Sequence, residues 1–307
     1  MNQNIQKRHK NFAYRLNQLM GFILGARFFF VALLTFALYV STFFLFNREE
    51  SFRAFVFDYH VHLIILCSVL SILAGGIINQ FYDREKDQVT KPFRSRVQSF
   101  LKQKYFLYAY IFLNALGLTI ALTQSWRVFV FFLVYQFLMW FYSHKISKVL
   151  FLNNLTFVGL TMYPFFGMLV YYRTFTLKVF FMAIFLFLML MIIDMTKDLL
   201  TKNADKVFDY KTIANQFSSK VARHVIIVFC LMAFVVSLII IKGIGLQSIM
   251  AWYFAIGLFV LILSVFWLFR NHKNDKVTTL SVLKLWIFFG ILAMLFDGIY
   301  SRFSWAI

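Results

Sequence analysis

Residues 79–94, NQFYDREKDQVTKPFR, pack three acids and four bases into sixteen positions directly after a long apolar run. A second polar stretch, KDLLTKNADKVFDYKT over 197–212, follows another such run. Asp83, Glu85 and Asp87 in the first cluster, with Asp194, Asp198, Asp205 and Asp209 in the second, make up seven of the chain's twelve acids. Asn79, Asp83 and Asp87 are four apart and form one stripe on a helix that continues past the membrane. At roughly 100° per residue, Asp194, Asp198, Asp205 and Asp209 fall within about 60° of one another. Carboxylates lined up in this way repel one another unless cations bind between them. Hard oxygen ligands suit Mg²⁺, which takes one or two protein carboxylates and completes its shell with water and phosphate oxygens. Two facing stripes of this kind predict a clamp for a diphosphate. The bases agree: Lys91, Arg94 and Arg96 follow the first stripe, and Lys197 and Lys211 flank the second. Arg27 lies inside an apolar run, where an arginine is costly and marks function by default.

The elements that must carry these residues are membrane helices. The 307 residues are 62% hydrophobic and 14% charged, against about 25% charge in an ordinary soluble domain. Apolar runs near the ~20 residues needed to cross a bilayer recur along the whole chain. They lack the alternation of a β-barrel strand. Nine spans are predicted, at 20–46, 59–82, 105–124, 126–142, 151–172, 176–196, 224–241, 247–269 and 283–301. The expected fold is an all-α membrane protein, nine helices in a single bundle and one domain over 1–307, with both aspartate-rich motifs cytoplasmic. Its basic segment 1–19 reads as a cytoplasmic N-terminus leading into a retained first helix.

The formal charge of +19 is explained by topology. Of the 31 Lys and Arg, 23 fall on the N-terminal side of the membrane and 7 on the other, with Arg27 inside the first span. This is the positive-inside asymmetry, so no nucleic-acid partner is expected, and a bacterial inner membrane is the expected location. Cys67 and Cys230 read as small buried apolar residues. A transporter would place its ion sites near the midplane on helices broken by Gly or Pro. Here the acids sit at one face, and the two prolines are Pro92 in a loop and Pro164 in the fifth span.

NQFYDREKDQVTKPFR resembles the first aspartate-rich motif of the UbiA-type intramembrane prenyltransferases, NDxxDxxxD followed by NKPxR, with Asn79, Asp83, Asp87, Lys91, Pro92 and Arg94 in register. The second stretch resembles that family's KDxxDxxxD and YKT pattern through Lys197, Asp198, Asp205, Tyr210, Lys211 and Thr212. YSHKISKVLFLNNLTF resembles its basic loop before the fifth helix. The resemblance implies Mg²⁺-dependent transfer of a prenyl group from a prenyl diphosphate to an aromatic or other lipid-precursor acceptor, for quinone or lipid biosynthesis. It implies metal held by Asp83, Asp87, Asp198 and Asp205. Asn79, Arg27, Lys91, Arg94, Lys197 and Lys211 would then bind the diphosphate. Asp194 is a candidate to deprotonate the acceptor. Two positions depart from the pattern: Gln80 stands where the first motif has its leading aspartate, and Thr201 stands where the second has its middle one. Asp209 shares the second stripe and could restore the lost ligand. The departures leave open a catalytically silent prenyl-lipid-binding or assembly protein.

Overall fold

The structure is a computed structural model and describes residues 18, 20–24, 27–47, 51–99, 102–270 and 272–303. The expected basic segment 1–19 lies outside the described residues except for Gln18. Among the described residues there is no strand. Nine helices among these residues are long and apolar enough to cross a membrane: Phe28–Phe46, Tyr59–Tyr82, Gln103–Gln124, Trp126–His144, Leu152–Tyr172, Leu177–Val207, Ser219–Ile244, Ile249–Arg270 and Lys273–Arg302. Each overlaps one predicted span. Four of the nine begin on a side chain that caps the first turn: Asp58, Ser125, Thr176 and Ser218 accept from the backbone N–H groups left over there.

The chain forms two compact units. One comprises 1–36 and 56–146, the other 37–55 and 147–307. In the first, α1 (Tyr59–Tyr82) packs against α2 (Gln103–Gln124) and α3 (Trp126–His144). Lipid tails are as apolar as leucine, so close approach and internal hydrogen bonds hold such helices together. The Sγ of Cys67 donates to the carbonyl of Gly117 at 3.3 Å, and Gln136 Nε2 donates to Ser71 Oγ and the Asn114 carbonyl, each at 3.3 Å. Two short helices, α4 (Arg84–Thr90) and α5 (Pro92–Gln98), follow α1.

In the second unit, α6 (Leu152–Tyr172) and α7 (Leu177–Val207) precede α8 (Ser219–Ile244), α9 (Ile249–Arg270) and α10 (Lys273–Phe303). Phe185, Met189, Ile192, Ile226, Phe254 and Leu283 belong to its apolar core. Tyr253 stacks on Trp286 with ring centroids 4.7 Å apart. That stacking needs Gly290, because a Cβ there would come within 2.7 Å of the Tyr253 hydroxyl. Both cysteines are buried and unbridged, as their setting predicts.

α7 has 31 residues and is about 46 Å long, well beyond a hydrocarbon core of about 30 Å. The extra turns carry the second motif. They stop at Val207, and Asp209 sits beyond them with φ 60°. The Tyr210 N–H donates to the Asp205 carbonyl at 2.8 Å, the bond of a Schellman helix end whose left-handed residue is Asp209. The expectation that Asp209 extends the stripe is therefore corrected: the helix ends before it, and its exposed side chain leaves the common face. An Asp tolerates this conformation better than most residues. Asp209→Gly is expected to leave thermal stability unchanged or raised, and Asp209→Val to lower it by about 1 kcal/mol, the strain of a left-handed branched residue. Thermal unfolding in detergent checks both.

Candidate functional site

The first motif straddles a change of helix. α1 ends at Tyr82, Asp83 adopts φ −87° and ψ 6°, and α4 begins at Arg84. The backbone bonds nevertheless keep a four-residue step. Asp83 N–H donates to Asn79 O, Asp87 N–H to Asp83 O, and Lys91 N–H to Asp87 O, at 2.8–2.9 Å. Asn79, Asp83, Asp87 and Lys91 thus remain one turn apart while the axis is interrupted at Asp83. The side chains pair along this row: Asn79 Nδ2 donates to Asp83 Oδ2 at 2.7 Å, and Lys91 Nζ lies 2.7 Å from Asp87 Oδ1. Asp87 is buried, at 3% exposure.

Three cations gather at this motif. Arg27 and Arg94 both lie within electrostatic reach of Lys91, and Arg27 also reaches Arg94. Burial, and then the two arginines, push the Lys91 ammonium below the usual lysine range, against the pull of Asp87. Burial and then Arg27 likewise lower the Arg94 guanidinium, opposed by Asp87 and Asp83. Such a cluster is costly alone and is relieved when an anion arrives. Arg27 needs a correction: it is not inside a continuous span. It precedes the helix that begins at Phe28, with φ 54°, and its Nε is buried without a partner among the described residues.

The second motif lies along one face of α7. Asp194, Asp198 and Asp205 are buried at 4%, 8% and 0% exposure. One side chain holds two of them: Asn154 Nδ2, on α6, donates to Asp194 Oδ2 and to Asp198 Oδ2, each at 2.8 Å. Lys197 Nζ pairs with Asp194 Oδ1 at 2.7 Å and lies over the Phe157 ring. Thr201, at the position of the missing aspartate, donates to Asp205 Oδ2 at 2.7 Å. Lys284 on α10 lies within electrostatic reach of Lys197 and Asp194. Lys211 is exposed, and its backbone N–H donates to the Lys148 carbonyl at 3.3 Å.

Sequence reasoning missed Asn154 and Lys284. The available signal was polarity in the wrong place: an Asn-Asn pair opening one apolar helix, and a lysine among apolar residues of another. Among the described residues, no three His, Cys, Asp or Glu side chains converge tightly enough to enclose a metal ion. The donor set fits Mg²⁺ in a different way. It offers isolated hard carboxylate oxygens, one of which, Asp87 Oδ2, is buried without a partner among the described residues, and Mg²⁺ takes few protein ligands and many waters.

Apolar helices of spanning length, carrying carboxylates with cations beside them, define a multi-pass membrane protein. The chain belongs to the UbiA prenyltransferase family, whose model matches residues 51–292, and is a prenyltransferase. The chain is similar to the digeranylgeranylglyceryl phosphate synthase of Thermococcus gammatolerans, 25% identical over 76% of this chain and 84% of that protein. The corresponding synthase of Thermococcus sibiricus is 27% identical over 60% of this chain and 66% of its own. A solved structure concerning digeranylgeranylglyceryl phosphate synthase in membranes aligns with TM-score 0.70 at 18% identity, covering 92% of this chain and 99% of that one. A UbiA homolog from Archaeoglobus fulgidus bound to GPP and Mg²⁺ aligns with TM-score 0.62 at 14% identity, covering 89% and 99%. These two likenesses establish the fold.

The shared donor generates a test. Asn154→Leu leaves two buried carboxylates without it and is expected to cost about 2 kcal/mol of stability. Asp198→Asn is expected to destabilise the Leu variant less than the native chain. A double-mutant cycle read by thermal unfolding measures that coupling.

Proposed function

We propose that the chain catalyses Mg²⁺-dependent transfer of a prenyl group from a prenyl diphosphate to a lipid-precursor acceptor of the glycerophosphate type. The observation that carries this reading is the gathering of Arg27, Lys91 and Arg94 beside Asp83 and Asp87. Bases grouped against their mutual repulsion suit a polyanion, and interleaved carboxylates suit one that arrives with a divalent cation. The names of the Thermococcus relatives favour a glycerophosphate acceptor over an aromatic one.

In this reading Arg27, Lys91, Arg94 and Asn79 orient diphosphate oxygens at the first motif, and Lys197 does so at the second. Asp83, Asp87, Asp198 and Asp205 hold Mg²⁺ directly or through water. When bound, Mg²⁺ supplies neutralisation of the charge that develops on the leaving group. The bond between the allylic carbon and the diphosphate oxygen breaks, and its electron pair leaves with diphosphate. The acceptor oxygen bonds to that carbon and gives up its proton. The guanidinium and ammonium groups act as preorganised donors to the departing oxygens. Asp194 takes the acceptor proton, its carboxylate held in place by Lys197 and Asn154. Apolar helix surfaces accommodate the isoprenoid tail and keep water from the allylic cation. The positive-inside asymmetry supports an orientation with the N-terminus and both motifs on the cytoplasmic side.

The test incubates purified protein with a labelled prenyl diphosphate, Mg²⁺ and a glycerophosphate lipid acceptor, and reads the product by mass spectrometry. A prenylated acceptor with one diphosphate released per product is expected, abolished by chelation; diphosphate release without it would contradict the reading. Arg94→Gln is expected to weaken prenyl diphosphate binding about ten-fold or more, the loss of a charged hydrogen bond. Asp194→Asn is expected to lower turnover by about a hundred-fold while leaving that binding within two-fold, so a matching loss of binding would remove its role as base.

A further inference from the structure

Behind the first motif, within the same compact unit, lies a cavity of about 70 Å³ walled partly by Ile77, Phe81 and Phe106 and partly by polar side chains. Gln80, Arg84, Asp87 and Gln88 line it from the end of α1 and from α4, and Gln98 lines it from α5. Three of these lining residues carry a buried polar atom with no partner among the described residues: Gln80 Oε1, Asp87 Oδ2 and Gln98 Nε2. Asp87 and Gln98 are more than nine-tenths buried, at 3% and 6% exposure. Of its other lining groups, Arg84 Nη1 donates to Gln103 Oε1 at 2.9 Å and Ser99 Oγ donates to the Arg96 carbonyl at 2.7 Å.

The three unpartnered atoms form a matched set of two acceptors and one donor. A water molecule has the complementary set: it donates twice and accepts once. Buried waters typically make about three such bonds, and each occupies roughly 30 Å³ of liquid volume, so the cavity is large enough. A bare cation would meet the Gln98 amide hydrogens, and an anion would meet the Asp87 carboxylate.

The geometry points to a water-filled chamber in which Gln80 and Gln98 position the Asp87 carboxylate through shared ordered water. This inference rests on the proposed function, because positioning matters when Asp87 serves the metal-diphosphate site. Gln80 is then a positioning residue. Lys91 fixes one carboxylate oxygen directly, and the chamber fixes the other. An aspartate at position 80 would set a second negative charge against the same chamber, and like charges sharing a site favour protonation of one of them. A glutamine offers the acceptor without that charge.

The experiment measures Mg²⁺ dependence of binding, at equilibrium, for a non-hydrolysable prenyl thiolodiphosphate, using the full chain in detergent. Gln80→Leu and Gln98→Leu are each expected to raise the half-saturating Mg²⁺ concentration by about ten-fold, as loss of outer support does at metal sites. Their thermal unfolding is expected to stay within a few degrees of the native protein. Because both residues act through the same water, the double variant is expected to be no worse than the poorer single one. Half-saturation unchanged within two-fold in both single variants, or two losses that multiply, would overturn the proposal. Should either variant fail to fold, a high-resolution structure of the unaltered protein decides: density bonded to Gln80, Asp87 and Gln98 supports it, and a chamber closed by side chains overturns it. Native protein that binds the analogue equally well without Mg²⁺ would overturn the proposed function itself; the density in the chamber is judged independently of that result.

Discussion

Seating carboxylates at the ends of apolar helices is the constraint on which this molecule depends. A buried polar group left without a hydrogen-bond partner costs free energy. Each buried aspartate of the two motifs therefore has a fixed donor: Lys91 on Asp87, Asn154 and Lys197 on Asp194, Asn154 again on Asp198, and Thr201 on Asp205. The helix geometry serves the same end. α7 runs past the apolar stretch so that its last turns can carry Asp198 and Asp205. The first motif changes helix at Asp83, yet its backbone bonds hold the four-residue spacing.

The two positions that the sequence reading set apart from the resembled pattern follow one rule. Thr201 and Gln80 each replace a carboxylate with a neutral hydrogen-bonding side chain next to a carboxylate that remains. Thr201 bonds Asp205 directly, and Gln80 lines the same cavity as Asp87. Fewer negative charges in one place means less mutual repulsion. The departures are physically consistent with a working enzyme and do not by themselves mark a silent one.

The spans were legible in the sequence because bilayer thickness imposes a length and composition that short-range patterning records directly. The common row of Asn79, Asp83 and Asp87 was legible because four-residue spacing is a local property, whereas the pairing of Asp87 with Lys91 came only with the structure. The end of α7 was not, since Asp209 continues the angular pattern and only the left-handed backbone at that residue breaks it. Arg27 misled for a similar reason, as an apolar run on both sides concealed a break in the helix before Phe28. Asn154 was hidden because its partners are 40 and 44 residues away, and no local periodicity connects them.

Titrating inorganic diphosphate into the purified protein by calorimetry, with and without Mg²⁺, tests the central claim most directly, because it removes both tail and acceptor from the comparison. The account predicts tight binding only when Mg²⁺ is present, competed away by prenyl diphosphate. Equal binding in the presence of a chelator would contradict it, since the carboxylates would then play no part in holding the anion.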